Sequence, residues 1–132
     1  MRTRLLIDSL IVILVVAILH GAALLFFLYW QYAWYDIVVH FLGGVFLGLL
    51  LLWLLLHSGY FVAPTTRTDL MVNLLFGTLI IGALWELFEV VAGVPLEEDY
   101  ALDTSTDLLM DFLGAFSAYL YYRLRYHSAT RV

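Results

Sequence analysis

Four stretches of the chain are apolar with little interruption. They cover about residues 5–30, 36–56, 69–92 and 104–122. A helix needs about 20 mostly apolar residues to cross a bilayer, and each stretch is near or above that length. The pattern predicts four membrane-spanning helices.

Loop and cap signals support these limits. Residues 31–35 make a short connection, so the first two helices are expected to be antiparallel neighbours. The second connection holds Gly59, Pro64 and a cluster of threonines. Thr66 followed by Asp69 fits a capping box that opens the third helix. Gly93 and Pro95 then stop it. Thr104 followed by Asp107 repeats the capping pattern at the start of the fourth. The expectation is one all-α domain, residues 1–132, folded as an integral-membrane four-helix bundle.

Arginine sets the orientation. Arg2 and Arg4 precede the first helix, Arg67 lies between the second and third, and Arg123, Arg125 and Arg131 follow the fourth. An even number of spans puts all of them on one side, and the positive-inside rule makes that side cytoplasmic. Both termini are then cytoplasmic, in a multi-pass protein of the cytoplasmic membrane. Aromatic residues mark the interfaces: Tyr29, Trp30, Tyr32, Trp34 and Tyr35 outside, Tyr119, Tyr121, Tyr122 and Tyr126 inside.

Composition agrees. The chain has 132 residues, 64% hydrophobic and 13% charged, where a soluble domain would be about a quarter charged. Arg2, Arg4 and the apolar run after them resemble a signal peptide. The run is longer than a signal's apolar core and no clear cleavage site follows, so it is read as a retained helix. There is no cysteine, which excludes disulfides, thiolate ligands and cysteine nucleophiles. The net charge is -5, there is no Lys, and the arginines are dispersed, so nucleic acid is not an expected partner.

Against this background seven polar residues stand out: Asp36, His40, Glu86, Glu89, Asp103, Asp107 and Asp111. Ionisable groups at membrane depth are costly and mark functional sites. Following the helix directions, all seven fall at the extracytoplasmic end. Their faces agree too, because residues three and four apart share a helix face. Asp36 and His40 continue into Gly44 and Gly48; Gly82 leads to Glu86, Glu89 and Gly93; Asp107 and Asp111 continue into Gly114, Ala115 and Ala118. Small residues mark close helix contact in membranes, so the carboxylates are expected to face the bundle interior.

Simpler roles compete. Asp36, Asp103 and Asp107 lie near helix N-termini, where carboxylates cap N–H groups. Glu97, Glu98 and Asp99 read as a solvated loop, Asp8 as an ion-pair partner of Arg4, and His57 and His127 as interfacial. His20 reads as a hydrogen-bonded histidine between helices, with a place in the site as the alternative. Capping does not account for Glu86, Glu89, Asp111 or His40, which lie inside their helices. Close carboxylates in low dielectric repel strongly, and protons or a cation must offset them. Oxygen ligands with one imidazole suit Mg, Mn, Ca or Zn. The expected metal ligands are Glu86, Glu89, Asp103, Asp107 and Asp111. His40, held by Asp36, is the candidate catalytic pair, as general base or a further ligand. A protonated network that holds the helices together is the rival.

The runs Asp36-Ile37-Val38-Val39-His40-Phe41, Trp85-Glu86-Leu87-Phe88-Glu89 and Asp103-Thr104-Ser105-Thr106-Asp107, leading to Asp111 and Gly114-Ala115, resemble the YjdF-like family of bacterial and archaeal membrane proteins. More distantly they are similar to the VanZ-like family. The resemblance covers about residues 36–118. VanZ-like members often carry glutamine where this chain has Glu89 and asparagine where it has Asp111, so the present site is the more acidic. YjdF-like proteins tend to be longer, with extra helices. The resemblance implies a polytopic membrane protein with a shared polar motif and supplies no reaction. The association of VanZ-like proteins with glycopeptide resistance points to cell-envelope or lipid-linked substrates.

Three functions fit these residues. One is a metal-dependent hydrolase or transferase acting on a lipid or lipid-linked phosphate, with the metal polarising a phosphoryl oxygen and activating water. Its weakness is the lack of any nearby Arg or Lys to grip phosphate. Another is a component of proton or cation transport. The third is a non-catalytic envelope scaffold, for which a second copy or a membrane partner subunit would cover the apolar surface. Enzyme and non-enzyme readings both stand at this point. The reading common to all is a membrane protein with an acidic and histidine site, cation-binding or structural, and binding of a divalent cation is the leading expectation.

Overall fold

A computed structural model of the chain describes residues 2–93 and 99–126. The chain is all-α, with four long helices and one single turn: α1 (Arg2–Phe26), α2 (Leu28–Gln31), α3 (Ala33–His57), α4 (Arg67–Ala92) and α5 (Tyr100–Tyr126). Pro95, Glu97, Glu98, His127 and Arg131 lie outside the described residues.

Two boundaries correct the expectations. The first helix does not continue to residue 30. It breaks at Phe27, whose backbone is left-handed (φ 55°, ψ 37°), at a cost of about 1–2 kcal/mol for a residue with a Cβ. Side chains from α2 and from the start of α3 offset that cost by reaching back to α1. Tyr29 Oη lies 2.6 Å from His20 Nδ1, and Tyr35 Oη donates to the Leu19 carbonyl at 3.0 Å. A straight helix would carry Tyr29 about 13 Å from His20. The last helix starts at Tyr100, so Thr104 and Asp107 do not cap it. The other cap signals hold. Thr66 accepts from the Asp69 N–H at 3.0 Å and Asp69 Oδ2 accepts from the Thr66 N–H at 3.1 Å. Gly93 closes α4 with φ 75°.

α3 is the central helix. It packs on α1, α4 and α5, and α4 also packs on α5. The α3–α5 crossing brings backbone to backbone. A Cβ on Gly44 would overlap the Asp111 carbonyl, and one on Gly114 would overlap the Phe41 carbonyl. The glycine and alanine stripes therefore set how closely these helices approach. The apolar core lies toward the arginine-bearing end, with Leu5, Leu49, Leu52, Leu74, Ala118 and Tyr122 buried together. At that end Tyr121 Oη donates to Asp8 Oδ2 at 2.8 Å. Asp8 thus ties α1 to α5 and does not pair with Arg4.

The exterior is as apolar as the core. Leu10, Leu14 and Ile18 of α1 and Phe76 and Leu84 of α4 are all more than half exposed. Three helices (α1, α3 and α4) are long and apolar enough to cross a membrane. α5 has 27 residues and buries Asp107 and Asp111. Its opposite face exposes Leu102, Leu109, Leu113, Leu120 and Leu124, which fall on one side at spacings of seven and four.

Candidate metal centre

Three helices deliver the polar side chains. Asp36 and His40 stand one turn apart on α3, Glu86 and Glu89 lie in the last turns of α4, and Asp103, Asp107 and Asp111 climb the first turns of α5. α3 and α5 pack parallel, as the contacts of Gly44 with Asp111 and of Gly48 with Ala115 show, and α4 runs antiparallel to both, so these regions lie side by side. All seven line one cavity of about 590 Å³, walled also by α1 and α2. Burial is graded: His40, Glu86, Asp107 and Asp111 are buried, whereas Asp36, Glu89 and Asp103 are half-buried. A smaller adjoining cavity shares Asp36, Asp103 and Asp107 and adds Asp99, which the sequence placed in a solvated loop.

His40 is the centre of the cluster. Its Nε2 lies 3.7 Å from Asp36 Oδ1 and 3.9 Å from Asp107 Oδ1, and its Nδ1 lies 3.6 Å from Asp111 Oδ1. These separations are wider than a direct N–H···O bond of about 2.7–3.2 Å. They leave space for an ion between Nε2 and the two carboxylates. Asp36, His40 and Asp107 each offer a ligand atom, and these atoms lie within 4.8 Å of one another. The sequence grouped the ligands differently, with Asp36 and His40 apart from the acids of α4 and α5. Among the described residues, Glu86, Glu89, Asp103 and Asp111 line the same cavity but do not join that group of three.

Asp111 and Glu86 are held from behind. A Cβ on Gly82 would come within 2.6 Å of Asp111 Oδ2, so the glycine makes room for the carboxylate that faces His40 Nδ1. Glu86 is 5% exposed. Its Oε2 accepts from Thr104 Oγ1 at 2.9 Å, and its Oε1 is buried without a hydrogen-bond partner. Thr104, read from the sequence as a helix cap, instead links α5 to α4. Replacing it with valine leaves both Glu86 oxygens unsatisfied, and such an orphaned buried group costs about 1–3 kcal/mol. Thr104→Val is expected to lower the unfolding free energy by that amount in a denaturant titration, while Ser105→Ala, next to it and exposed, changes little.

His20 fills both roles considered for it. It bonds Tyr29, and it lines the cavity with its ring 6.3 Å from that of Trp85. Tyr29, read from the sequence as an interface aromatic, and Trp85, part of the run from Trp85 to Glu89, also line the cavity.

No curated protein and no solved structure matches the chain. The YjdF-like resemblance is consistent with the family that does match, and the VanZ-like similarity has no counterpart in the comparisons. The model of the family described as predicted membrane protein (DUF2238) matches residues 1–128, and the chain belongs to that family.

Proposed function

We propose that the protein is a four-span protein of the cytoplasmic membrane whose extracytoplasmic end holds a divalent cation. Asp36 Oδ1, His40 Nε2 and Asp107 Oδ1 are the ligands. Asp111, at the other ring nitrogen, orients His40 as outer carboxylates orient metal-binding imidazoles. The observation that carries this reading is the convergence of those three atoms within 4.8 Å, in a cluster where buried anions need compensation. One imidazole with carboxylates suits zinc or manganese better than a thiolate-seeking metal.

The four-span topology rests on two features. The leucine face of α5 runs from Leu102 to Leu124, about 33 Å along a helix axis, which matches a hydrocarbon core of about 30 Å. Every arginine of the described helices falls at the end opposite the carboxylates, which the positive-inside rule makes cytoplasmic. A second copy or a partner subunit against the apolar exterior fits this reading equally.

Elemental analysis of the purified protein tests the metal. The expected result is about one divalent ion per chain, stripped by chelator and restored by zinc or manganese in a competition titration. A chain that never holds metal above buffer levels, before or after loading, would leave only the hydrogen-bonded network that joins the helices.

A further inference from the structure

The cavity continues well past its polar end. On α1 it is lined by Ile13, Val16 and Ala17, on α3 by Phe46 and Leu47, and on α4 by Ile81. His20 to Ile13 and His40 to Leu47 each span about 10 Å along a helix, so a polar zone grades into an apolar one of similar length. α1 and α4 wall this cavity without packing on each other, apart from the ring contact of His20 with Trp85. At its margin Ile81, Trp85 and Phe88 are 39%, 43% and 56% exposed, so the cavity is continuous with the apolar outer face of α4. A chamber of about 590 Å³ falls within the ordinary range for small-molecule sites. Its polarity gradient is that of an amphiphile lying with its head toward the carboxylates.

Charge selects the head. Among the described residues six carboxylates line the cavity, and neither Lys nor Arg does. A divalent ion between Asp36 and Asp107 balances those two and leaves Glu86, Glu89, Asp103 and Asp111. An anionic phosphate head would meet net repulsion there, whereas a cationic head is complementary. Glu86 independently points to a ligand, because this buried residue lines the cavity and its Oε1 has no hydrogen-bond donor. An ammonium supplies donors, and Tyr29, Trp30, Trp85 and Tyr100 in the same lining offer ring faces to a cation.

We infer that the cavity between α1 and α4 binds an amphiphile with an ammonium head and an apolar chain. The head is taken by Glu86 and Glu89, and the chain lies along Ile13, Val16, Phe46 and Ile81. The charge count rests on the cation site proposed above, but the two are measured separately.

The test uses the full chain in phosphatidylcholine nanodiscs, with Trp30, Trp34 and Trp53 changed to Phe so that Trp85 alone reports. The probes are dodecylammonium and dodecyl phosphate, each brominated on the chain to quench tryptophan. The expected result is saturable quenching by the ammonium probe, at least about tenfold tighter than by the phosphate probe. Glu89→Gln should weaken the ammonium probe about tenfold, and Val16→Phe, which fills the apolar zone, should abolish saturation with metal content unchanged. If Val16→Phe does not fold, Ala17→Leu fills the same zone. Phosphate binding as tight as ammonium binding, or quenching that neither saturates nor responds to Glu89→Gln, overturns the inference. Metal retained without amphiphile binding sinks this inference alone. Amphiphile binding without metal sinks the metal reading alone.

Discussion

Gly114→Val is expected to destabilise the protein by about 3 kcal/mol or more, the upper range for forced overpacking. At most crowded positions a neighbouring side chain can turn aside. Here the added Cβ meets backbone: it overlaps the Phe41 carbonyl oxygen and comes within 2.7 Å of the Val45 nitrogen and 2.9 Å of the Gly44 carbonyl carbon. To relieve the overlap α3 and α5 must move apart at this backbone-to-backbone crossing. That movement also draws Asp107 and Asp111 away from His40. Thermal unfolding in nanodiscs, followed by helix content, reads the effect. Gly21→Ala is the matched control, since nothing lies within 4 Å of a Cβ there and the helix gains up to about 1 kcal/mol in propensity. If Gly114→Val melts with the wild type, the α3–α5 crossing is misdescribed. Gly82→Ala should separate fold from site. Its Cβ meets the Asp111 carboxylate and the end of Leu108, and both can rotate. It should leave the melting temperature close to wild type yet weaken whatever depends on Asp111.

Local features were legible in the sequence because they are written in spacing. The four long helices follow from apolar length, the Thr66–Asp69 box from a three-residue interval, and the presence of close helix contact, though not which pair makes it, from small residues four apart. The gathering of seven polar residues at one end follows from helix direction alone. Long-range choices were not legible. Thr104 and Asp107 have the same spacing as Thr66 and Asp69, yet Thr104 bonds Glu86, 18 positions earlier. No local rule separates the two cases. The break at Phe27 depends on Tyr29 reaching His20 and Tyr35 reaching Leu19, contacts that exist only once the turn has formed. Asp8 chooses Tyr121, 113 positions away, over an arginine one turn off. Within the cluster, the carboxylate that meets each nitrogen of His40 depends on helix rotation to within a few ångströms. Periodicity fixes a face and not an atom. Asp36 and His40 were therefore read as a pair apart from the acids of α5, whereas Nε2 faces Asp36 and Asp107 together.

Asp107→Asn should remove the metal. Asp107 is a buried member of the ligand trio, and the amide keeps its shape while losing the charge that offsets a divalent ion. Asp111→Asn, acting on His40 from behind, should cost about 10–100-fold in affinity, the usual range for an outer partner. The two variants thus separate ligand from positioning residue. Stability gives a second readout through linkage. Metal at about 100 times its Kd stabilises the wild type by about 2.7 kcal/mol, and this gain should vanish in Asp107→Asn. Without metal the order reverses. The buried carboxylates then lack compensation, so the apo form of Asp107→Asn, with one anion fewer, should be at least as stable as apo wild type. Acidification acts in the same direction as the mutation. The ligands bind metal only when deprotonated, so the gain from metal is largest at neutral pH and falls as pH drops. The pattern to be seen in melting curves is a crossover: wild type above Asp107→Asn with zinc or manganese at neutral pH, and level with or below it in chelator or acid. Curves that keep one order under every condition would assign Asp107 to helix packing and leave Asp36 and His40 without a shared ion.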